Sequence, residues 1–261
     1  IPTCGSVAGG ADSKDPGQRT LMFNPVTHVP TVLVDDPNNE NFKLRAYRLD
    51  VDVWVPIGNE LSPGRTLDST ISFSSTGDLY VAYVDRYAND ATLDFDGLSP
   101  GYGASDRATI KIFNGTAWVM LGASSRNASW LAMMLSPVDN MPWIAYKDSN
   151  NNGLITIRRY NGTQFQPVGN VGLGVDYPTS SVRLVFSPSG VPYVVLLVRD
   201  VDYTAKISIY TLSNNEWVKV WSKSGLSSLQ GQYDLCWCGD YPPSLIAVNT
   251  HLGSLFLYQT V

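Results

Sequence analysis

The residues with the clearest capacity for ligand chemistry lie in one long polar stretch between Asp85 and Ala108. This stretch combines aromatic rings and carboxylates among Gly, Ser and Pro residues: Tyr87, Asp90, Asp94, Phe95, Asp96 and Tyr102. Loops of this length inside compact domains usually have a function or are disordered. Aromatic rings can stack on the C–H faces of sugars, while carboxylates accept hydrogen bonds from sugar hydroxyls. The composition therefore predicts a carbohydrate-binding loop, and a solvated loop without a ligand is the alternative.

A second polar stretch has the spacing of the first half of a calcium loop. Asp148, Asn150 and Asn152 supply alternating oxygen atoms, and Gly153 follows at the turn. The last ligand position of such a loop, however, falls on Arg159, where a bidentate glutamate is needed. The sequence therefore favours a polar turn and a protein without a cofactor, and a Ca²⁺ site at these three residues is the alternative.

Acidic residues also recur after apolar runs, at Asp35, Asp85 and Asp148. Recurrence in every copy of a pattern is typical of a turn or cap, because aspartate accepts hydrogen bonds from nearby backbone N–H groups. The chain has two histidines and none of the nucleophile or phosphate-loop motifs, which argues against triad chemistry. We expect a protein that is not an enzyme, and a glycosidase with paired carboxylates is the alternative.

Two kinds of covalent modification are predicted. Glycosylation sequons begin at Asn114, Asn127 and Asn161. The three cysteines are Cys4, Cys236 and Cys238, an odd number that leaves one thiol unpaired. A Cys4–Cys238 disulfide would hold the two ends of the chain together.

The elements that position these residues form an internal repeat. Four aromatic residues each follow a turn and precede a short apolar stretch: Trp54, Trp118, Phe165 and Trp217. In two copies the turn contains Asn114-Gly115 or Asn161-Gly162, which is a strong hairpin signal because both residues can adopt positive φ. Each aromatic residue is therefore expected near the start of the last strand of a unit.

A second repeated element consists of an alternating strand, a turn, and a strand that is apolar throughout. Its five copies are Leu21–Pro25 with Pro30–Asp35, Ile71–Ser75 with Leu79–Asp85, Met133–Pro137 with Pro142–Asp148, Leu184–Pro188 with Pro192–Leu197, and Cys236–Asp240 with Pro243–Asn249. In this alignment Cys236 and Cys238 share one face of the strand and match Leu184 and Phe186. Each unit thus predicts four short strands, a to d.

Four strands per unit at a period of about 40–50 residues are typical of a β-propeller. The repeat resembles the propeller modules of secreted lectin-like and adhesion proteins, whose blades end in a Trp-x-x-Val-Gly-type strand. We predict an all-β chain that forms one five-bladed propeller over residues 1–261. The expected blades are residues 20–58, 68–122, 128–169, 179–222 and 231–261.

The fifth unit lacks its strand d, and the N-terminal segment can supply it. Cys4-Gly-Ser-Val7-Ala8 matches Trp54-Val-Pro-Ile57-Gly58 position for position. We therefore expect residues 1–19 to contribute the closing strand and a linker, because pairing the two ends leaves no open sheet edge. One alternative is that the chain is a slice of a larger propeller, and another is that the segment pairs with a neighbouring molecule. A Cys4 disulfide to the fifth unit competes with the closing strand, since strands a and d lie too far apart for both.

Charge and composition narrow the classes of function. The net charge of −5 argues against a nucleic-acid partner, which requires clustered Lys and Arg. The chain contains no apolar run long enough to span a membrane. It starts at Ile1 without a leader, as a processed precursor or an excised fragment would. We expect a secreted or cell-surface recognition module whose partner is a glycan or an extracellular protein. A structural subunit of an extracellular, self-assembling filament is the alternative.

Overall fold

The structure is a computed structural model of the chain. It describes residues 20–35, 43–64, 66–85, 106–124, 128–170, 172–174, 179–199, 205–226, 233–236, 244–249 and 254–259. All long elements in these ranges are β-strands, and one short 3₁₀ turn lies at Ser149–Asn151. The predicted all-β class is confirmed.

Within the described ranges, nineteen strands form five antiparallel sheets, and each sheet uses strands that are consecutive in sequence. Sheet 1 contains β1 (Leu21–Phe23), β2 (Pro30–Asp35), β3 (Leu44–Asp50) and β4 (Val53–Pro56). Sheet 2 contains β5 (Thr66–Phe73), β6 (Leu79–Asp85), β7 (Arg107–Phe113) and β8 (Trp118–Ala123). Sheet 3 contains β9 (Ala128–Leu135), β10 (Pro142–Asp148), β11 (Leu154–Tyr160) and β12 (Phe165–Pro167).

Sheet 4 contains β13 (Thr179–Phe186), β14 (Pro192–Arg199), β15 (Ala205–Ser213) and β16 (Glu216–Leu226). Sheet 5 contains β17 (Tyr233–Cys236), β18 (Ser244–Asn249) and β19 (Ser254–Gln259). Sheets 1 to 4 each have four strands in simple up-and-down order, and sheet 5 has three. The predicted four-stranded repeat is therefore present in four complete copies.

The core of sheets 1 to 4 lies between neighbouring sheets, because sheets 1, 2 and 3 each have an apolar face toward the next one. Between sheets 1 and 2, for example, Leu33 and Ala46 pack with Ile71 and Val81, all at most 3% exposed. Similar clusters join sheet 2 to sheet 3 and sheet 3 to sheet 4. Burial on both faces explains why the second strand of each unit is apolar throughout rather than alternating.

The last strand of one sheet is fixed to the next sheet by an indole ring. Trp118 Nε1 donates a hydrogen bond to the Ile57 carbonyl at 2.9 Å, and Trp217 Nε1 donates to the Val168 carbonyl at 2.9 Å. Gly169 follows Val168 with φ +72°, and a Cβ atom there would lie 2.6 Å from Trp217 Cδ1. The Trp-x-x-Val-Gly pattern therefore joins two sheets, because the glycine of one makes room for the tryptophan of the next.

The four repeated aromatic residues occupy equivalent register positions, as predicted. Each lies opposite the corresponding residue of the preceding strand, in the pairs Leu49–Trp54, Phe113–Trp118, Tyr160–Phe165 and Leu212–Trp217. Phe165 and Trp217 are at most 5% exposed, whereas Trp54 is 45% exposed. Trp118 and Trp217 each contact the sheet that precedes their own in sequence, whereas sheet 1 is the first sheet of the described residues.

The fifth unit departs from the predicted alignment. Cys236 in β17 pairs with Ser244 in β18, and Val185 in β13 pairs with Tyr193 in β14. When Pro243 is aligned with Pro192, as predicted, Cys236 therefore matches Val185, one residue from the predicted match with Leu184. Cys4 and Cys238, the predicted disulfide, lie outside the described residues.

Candidate functional site

The predicted carbohydrate-binding loop lies outside the described residues. This applies to all six of its candidate residues, Tyr87, Asp90, Asp94, Phe95, Asp96 and Tyr102. Its two ends are described, at Asp85 and Asp106, and the strands β6 and β7 pair there through Asp85 and Arg107. Asp85 and Arg107 are 3% and 1% exposed, so a pair of opposite charges is buried at the base of the loop.

The candidate calcium residues form a capped turn. Asp148 Oδ1 accepts a hydrogen bond from the Asn150 backbone N–H at 3.0 Å, and its Oδ2 accepts one from Thr156 Oγ1 at 3.2 Å. Asn152 adopts a left-handed conformation that ends the 3₁₀ turn. Within the described ranges, no cluster of three or more His, Cys, Asp or Glu residues could hold a metal ion. These contacts are those of a polar turn.

The recurrent aspartates lie at the ends of the second strands. Asp35 Oδ1 accepts a hydrogen bond from Thr66 Oγ1 at 3.0 Å, which links sheet 1 to sheet 2. Asp148 caps the turn that follows β10. The Asp148 contact is that of a cap, as predicted, whereas the Asp35 contact joins two sheets.

The sequons at Asn114 and Asn161 lie in exposed turns between the third and fourth strands, and Asn127 lies outside the described residues. Asn161 Oδ1 accepts hydrogen bonds from the Thr163 backbone N–H at 3.0 Å and from Thr163 Oγ1 at 2.9 Å. Asn114 Oδ1 accepts two backbone hydrogen bonds in the same way. These bonds use the oxygen of each amide and leave the nitrogen, which carries a glycan, on the exposed turn.

We expect a glycan on Asn161 when the chain is expressed through a eukaryotic secretory pathway. A glycan acceptor needs an accessible asparagine and a hydroxyl two residues later. Asn161 lies on an exposed turn, and the Thr163 hydroxyl is bonded to its amide oxygen. Intact-mass spectrometry should show a loss of one glycan in Asn161→Gln and in Thr163→Ala. Gln164→Ala, a neighbouring change outside the sequon, should keep the glycan. An unmodified wild-type mass at this site would contradict the prediction.

The described residues form an open groove of about 330 Å³ between sheets 1 and 2. This volume lies at the lower end of the range of small-ligand sites, about 300–1,000 Å³. Its floor and walls are apolar and include Ile57, Phe73, Leu79 and Phe113. Polar atoms come from sheet 1, at Thr27, Thr31, Arg48 and Asp50. The open groove thus combines aromatic walls with a guanidinium and a carboxylate.

The open groove exists because a small residue replaces an aromatic one. Thr31 is the second residue of β2, and the corresponding residues of the next three sheets are Tyr80, Trp143 and Tyr193. The register confirms the match between sheets 1 and 3, because Thr31 pairs with Arg48 and Trp143 pairs with Arg159. Thr31 is 2% exposed, so it forms part of the floor rather than the rim.

The loop beside the open groove also has a close counterpart in sheet 3. In residues 24–29, the His28 N–H donates to the Asn24 carbonyl at 2.8 Å; in residues 136–141, the Asn140 N–H donates to the Ser136 carbonyl at 2.9 Å. His28 and Asn140 share a positive φ, 59° and 56°. Since the two loops have the same conformation, Thr27 in the first matches Asp139 in the second.

In the counterpart between sheets 3 and 4 the space is filled by protein. The Trp143 ring lies 5.4 Å from the Phe186 ring in an edge-to-face contact, and the Arg159 guanidinium lies 5.9 Å from the Trp143 ring centre. Arg159 also forms an ion pair with Asp139. Burial raises the pKa of Asp139, but hydrogen bonds from the Met141 backbone, the Ser136 hydroxyl and Arg159 outweigh burial and lower the pKa below its usual value.

Sequence reasoning missed the open groove and placed the candidate site in residues 86–105, at the ends of the second strands. The open groove is at the opposite ends, beside the turns that join the first and second strands and the third and fourth. A signal was present in the sequence. When the second strands are aligned, Thr31 is the one small residue at a position that is otherwise aromatic in the four complete sheets.

Comparisons with known proteins identify the fold. No family model matches the chain, and no curated protein matches it either. Among solved structures, the SapL1 lectin in complex with alpha methyl fucoside is similar, with a TM-score of 0.53, 12% identity, and coverage of 92% of this chain and 78% of the lectin. An endo-arabinase from Bacteroides thetaiotaomicron is similar with a TM-score of 0.50, 12% identity, and coverage of 95% of both chains.

At these identities the likeness is one of fold, and the fold is propeller-like. Of these two structures, one is a lectin and the other an endo-arabinase, so the fold by itself is compatible with binding and with catalysis. None of the described residues belongs to a helix long and apolar enough to cross a membrane.

Proposed function

We propose that this chain is a secreted or cell-surface module that binds carbohydrate without transforming it, and that the open groove holds the sugar. The observation that supports this proposal is the replacement of an aromatic residue by Thr31, which leaves a ring-sized space lined by Phe73 and Phe113. The lectin among the similar structures adds support at the level of the fold.

The chemistry of the groove suits a sugar ring. A pyranose has a C–H face, which packs on aromatic and aliphatic side chains, and an edge of hydroxyls, which need donors and acceptors. The walls of the groove supply the first through Phe73 and Leu79, and its rim supplies the second through Arg48 and Asp50. Arg48 can donate hydrogen bonds to sugar hydroxyls and Asp50 can accept them, so two adjacent hydroxyls would each find a partner.

A variant that fills the groove tests this proposal. Thr31→Trp gives sheet 1 the tryptophan that sheet 3 has at Trp143. The new ring would lie opposite Arg48, as Trp143 lies opposite Arg159. We expect the wild-type chain to bind a subset of glycans on an array and Thr31→Trp to lose that binding by tenfold or more. Thr31→Ser keeps the residue small and should retain binding. Circular dichroism and thermal unfolding should show that both variants are folded.

Two outcomes would contradict the proposal. Equal glycan binding by the wild type and Thr31→Trp would place the sugar elsewhere, for example in residues 86–105. Turnover of a glycoside by the isolated chain would make it an enzyme. Binding in the groove involves no metal ligand, so chelation with EDTA should leave it unchanged.

We further propose that the five sheets form one closed ring over residues 1–261. In this arrangement residues 3–9 pair with β19 and provide sheet 5 with its fourth strand. The proposal is supported by sheet 5, which has three strands within the described ranges where sheets 1 to 4 have four, since a fourth strand beside β19 would pair the N–H and C=O groups along that edge. It is also supported by the exposed face of Trp54, whose counterparts Trp118 and Trp217 each contact the last strand of the preceding sheet.

A further inference from the structure

The open groove lacks two side chains that fill its counterpart between sheets 3 and 4. Thr31 replaces Trp143, and Thr27 replaces Asp139. Compared with the filled interface between sheets 3 and 4, the open groove therefore lacks one aromatic ring and one carboxylate. The residues that contact Trp143 and Asp139 in the counterpart are Phe186 and Arg159. Both have a match beside the open groove, Phe73 and Arg48.

The retained arginine has no partner to neutralise it. Arg159 pairs with Asp139, whereas Arg48 is exposed and makes no hydrogen bond or ion pair with any part of the chain that the structure describes. Thr27 has no charge, and its hydroxyl accepts a long hydrogen bond of 3.4 Å from the Val29 N–H. A ligand carboxylate at the position of the Asp139 carboxylate would form the ion pair that Arg48 lacks.

We infer that the open groove prefers a glycuronic acid, a pyranose ring that carries a carboxylate. The inference rests on the proposed function and names the class of sugar for the same site. The ring takes the position of the Trp143 side chain, between Phe73 and Arg48, and the carboxylate takes that of Asp139. A planar carboxylate can accept two parallel N–H bonds from a guanidinium, which a neutral hydroxymethyl group cannot do.

Asp50 is the charged group that opposes this preference. It lies two residues after Arg48 on the same strand, lines the groove and is exposed. Its exposure places it in solvent of high dielectric, where a repulsion is weaker than a direct charge-assisted contact. Its removal in Asp50→Asn should therefore strengthen the binding of the acid several-fold and change that of a neutral sugar little.

The test uses two matched pairs of sugars, glucuronic acid with glucose and galacturonic acid with galactose, as methyl glycosides. The members of a pair differ in the carboxylate alone. Isothermal titration calorimetry on the full chain should show at least one pair in which the acid binds about tenfold or more tightly. This preference should fall as salt is raised, because the contact is partly exposed and is screened.

Three variants identify the contact. Arg48→Gln should abolish the preference for the acid, and Arg48→Lys should keep part of it. Thr27→Asp rebuilds the ion pair of sheet 3 and should abolish binding of the acid while preserving that of the neutral sugar. Arg159→Gln makes the same change in the filled counterpart and should leave binding unchanged.

The two proposals fail in different ways. If neutral sugars bind as tightly as the acids, or if Arg48→Gln preserves the preference, the inference of a glycuronic acid is overturned and the groove remains a sugar site. If no sugar binds the folded chain, or if Thr31→Trp leaves sugar binding intact, the proposed function of the groove is overturned as well.

Discussion

Replacing Gly169 with alanine is expected to lower the free energy of unfolding by about 2–4 kcal/mol. The new Cβ would lie 2.6 Å from Trp217 Cδ1 and 2.8 Å from Trp217 Nε1. These distances are too short for non-bonded atoms, so Trp217 or the backbone at residue 169 would have to move. Overpacking of this kind costs about 1–3 kcal/mol, and a left-handed conformation costs an L-residue roughly 1 kcal/mol more. The shift would also break the bond between Trp217 and the Val168 carbonyl.

The chain supplies a matched control for this change. Gly162 has φ +100°, and a Cβ atom added there would meet no other atom within 4 Å, so Gly162→Ala incurs the conformational cost without the clash. Chemical denaturation should show a loss of about 1 kcal/mol for Gly162→Ala and a clearly larger one for Gly169→Ala. Equal losses would mean that Gly169 is needed for its positive φ and not for the space that Trp217 occupies.

Deleting residues 1–10 is expected to destabilise the isolated chain by about 3 kcal/mol or more, the scale of removing a large buried side chain. In the proposed ring these residues cover Trp54 and pair with the outer edge of β19. The equivalent contacts in the described sheets bury Trp217 to 5% exposure and satisfy its indole N–H. The deletion should therefore lower the midpoint of thermal unfolding and make Trp54 more accessible to acrylamide quenching.

The state of assembly separates the two ways of pairing. If residues 1–10 close their own ring, the wild-type chain is a monomer by analytical ultracentrifugation and the deletion lowers its stability. If they pair with a neighbouring molecule, the wild type is an assembly, and the deletion dissolves it while each ring stays folded. A deletion variant that is as stable as the wild type, with no change of assembly, would exclude both. In that event a disulfide from Cys4 would explain better how the ends are held.

The strands are readable from the sequence because their pattern depends on burial. Strands such as Leu79–Asp85 are apolar on both faces, and turns such as Asn161-Gly162 require positive φ, so composition determines local structure. The equivalence of Trp118 and Trp217 follows from the same repetition. The fifth unit aligns less well, because Cys236 and Cys238 are both compatible with a buried strand and the turn residues after them do not fix the register.

The open groove could not be found from local pattern, because it results from a difference between copies. Thr31 is an ordinary residue for a strand, and only its comparison with Trp143 at the same register shows that a ring is missing. Arg48 likewise has no special context in the sequence until Thr27 is matched to Asp139. Such matches need the three-dimensional register of loops 24–29 and 136–141, which the hydrogen bonds supply.

The aromatic residues at the other interfaces limit the number of such grooves. Tyr80, Trp143 and Tyr193 occupy the position that Thr31 leaves open, so sheets 1 to 4 together offer one groove of this type. A monovalent binder cannot cross-link two glycan-bearing surfaces. Tethering several copies would raise the apparent affinity by about 10²–10⁴ through effective concentration alone. A chain that binds sugar through this groove alone should therefore coat a glycan surface without agglutinating it, and agglutination by the isolated chain would indicate a second sugar site or joined copies.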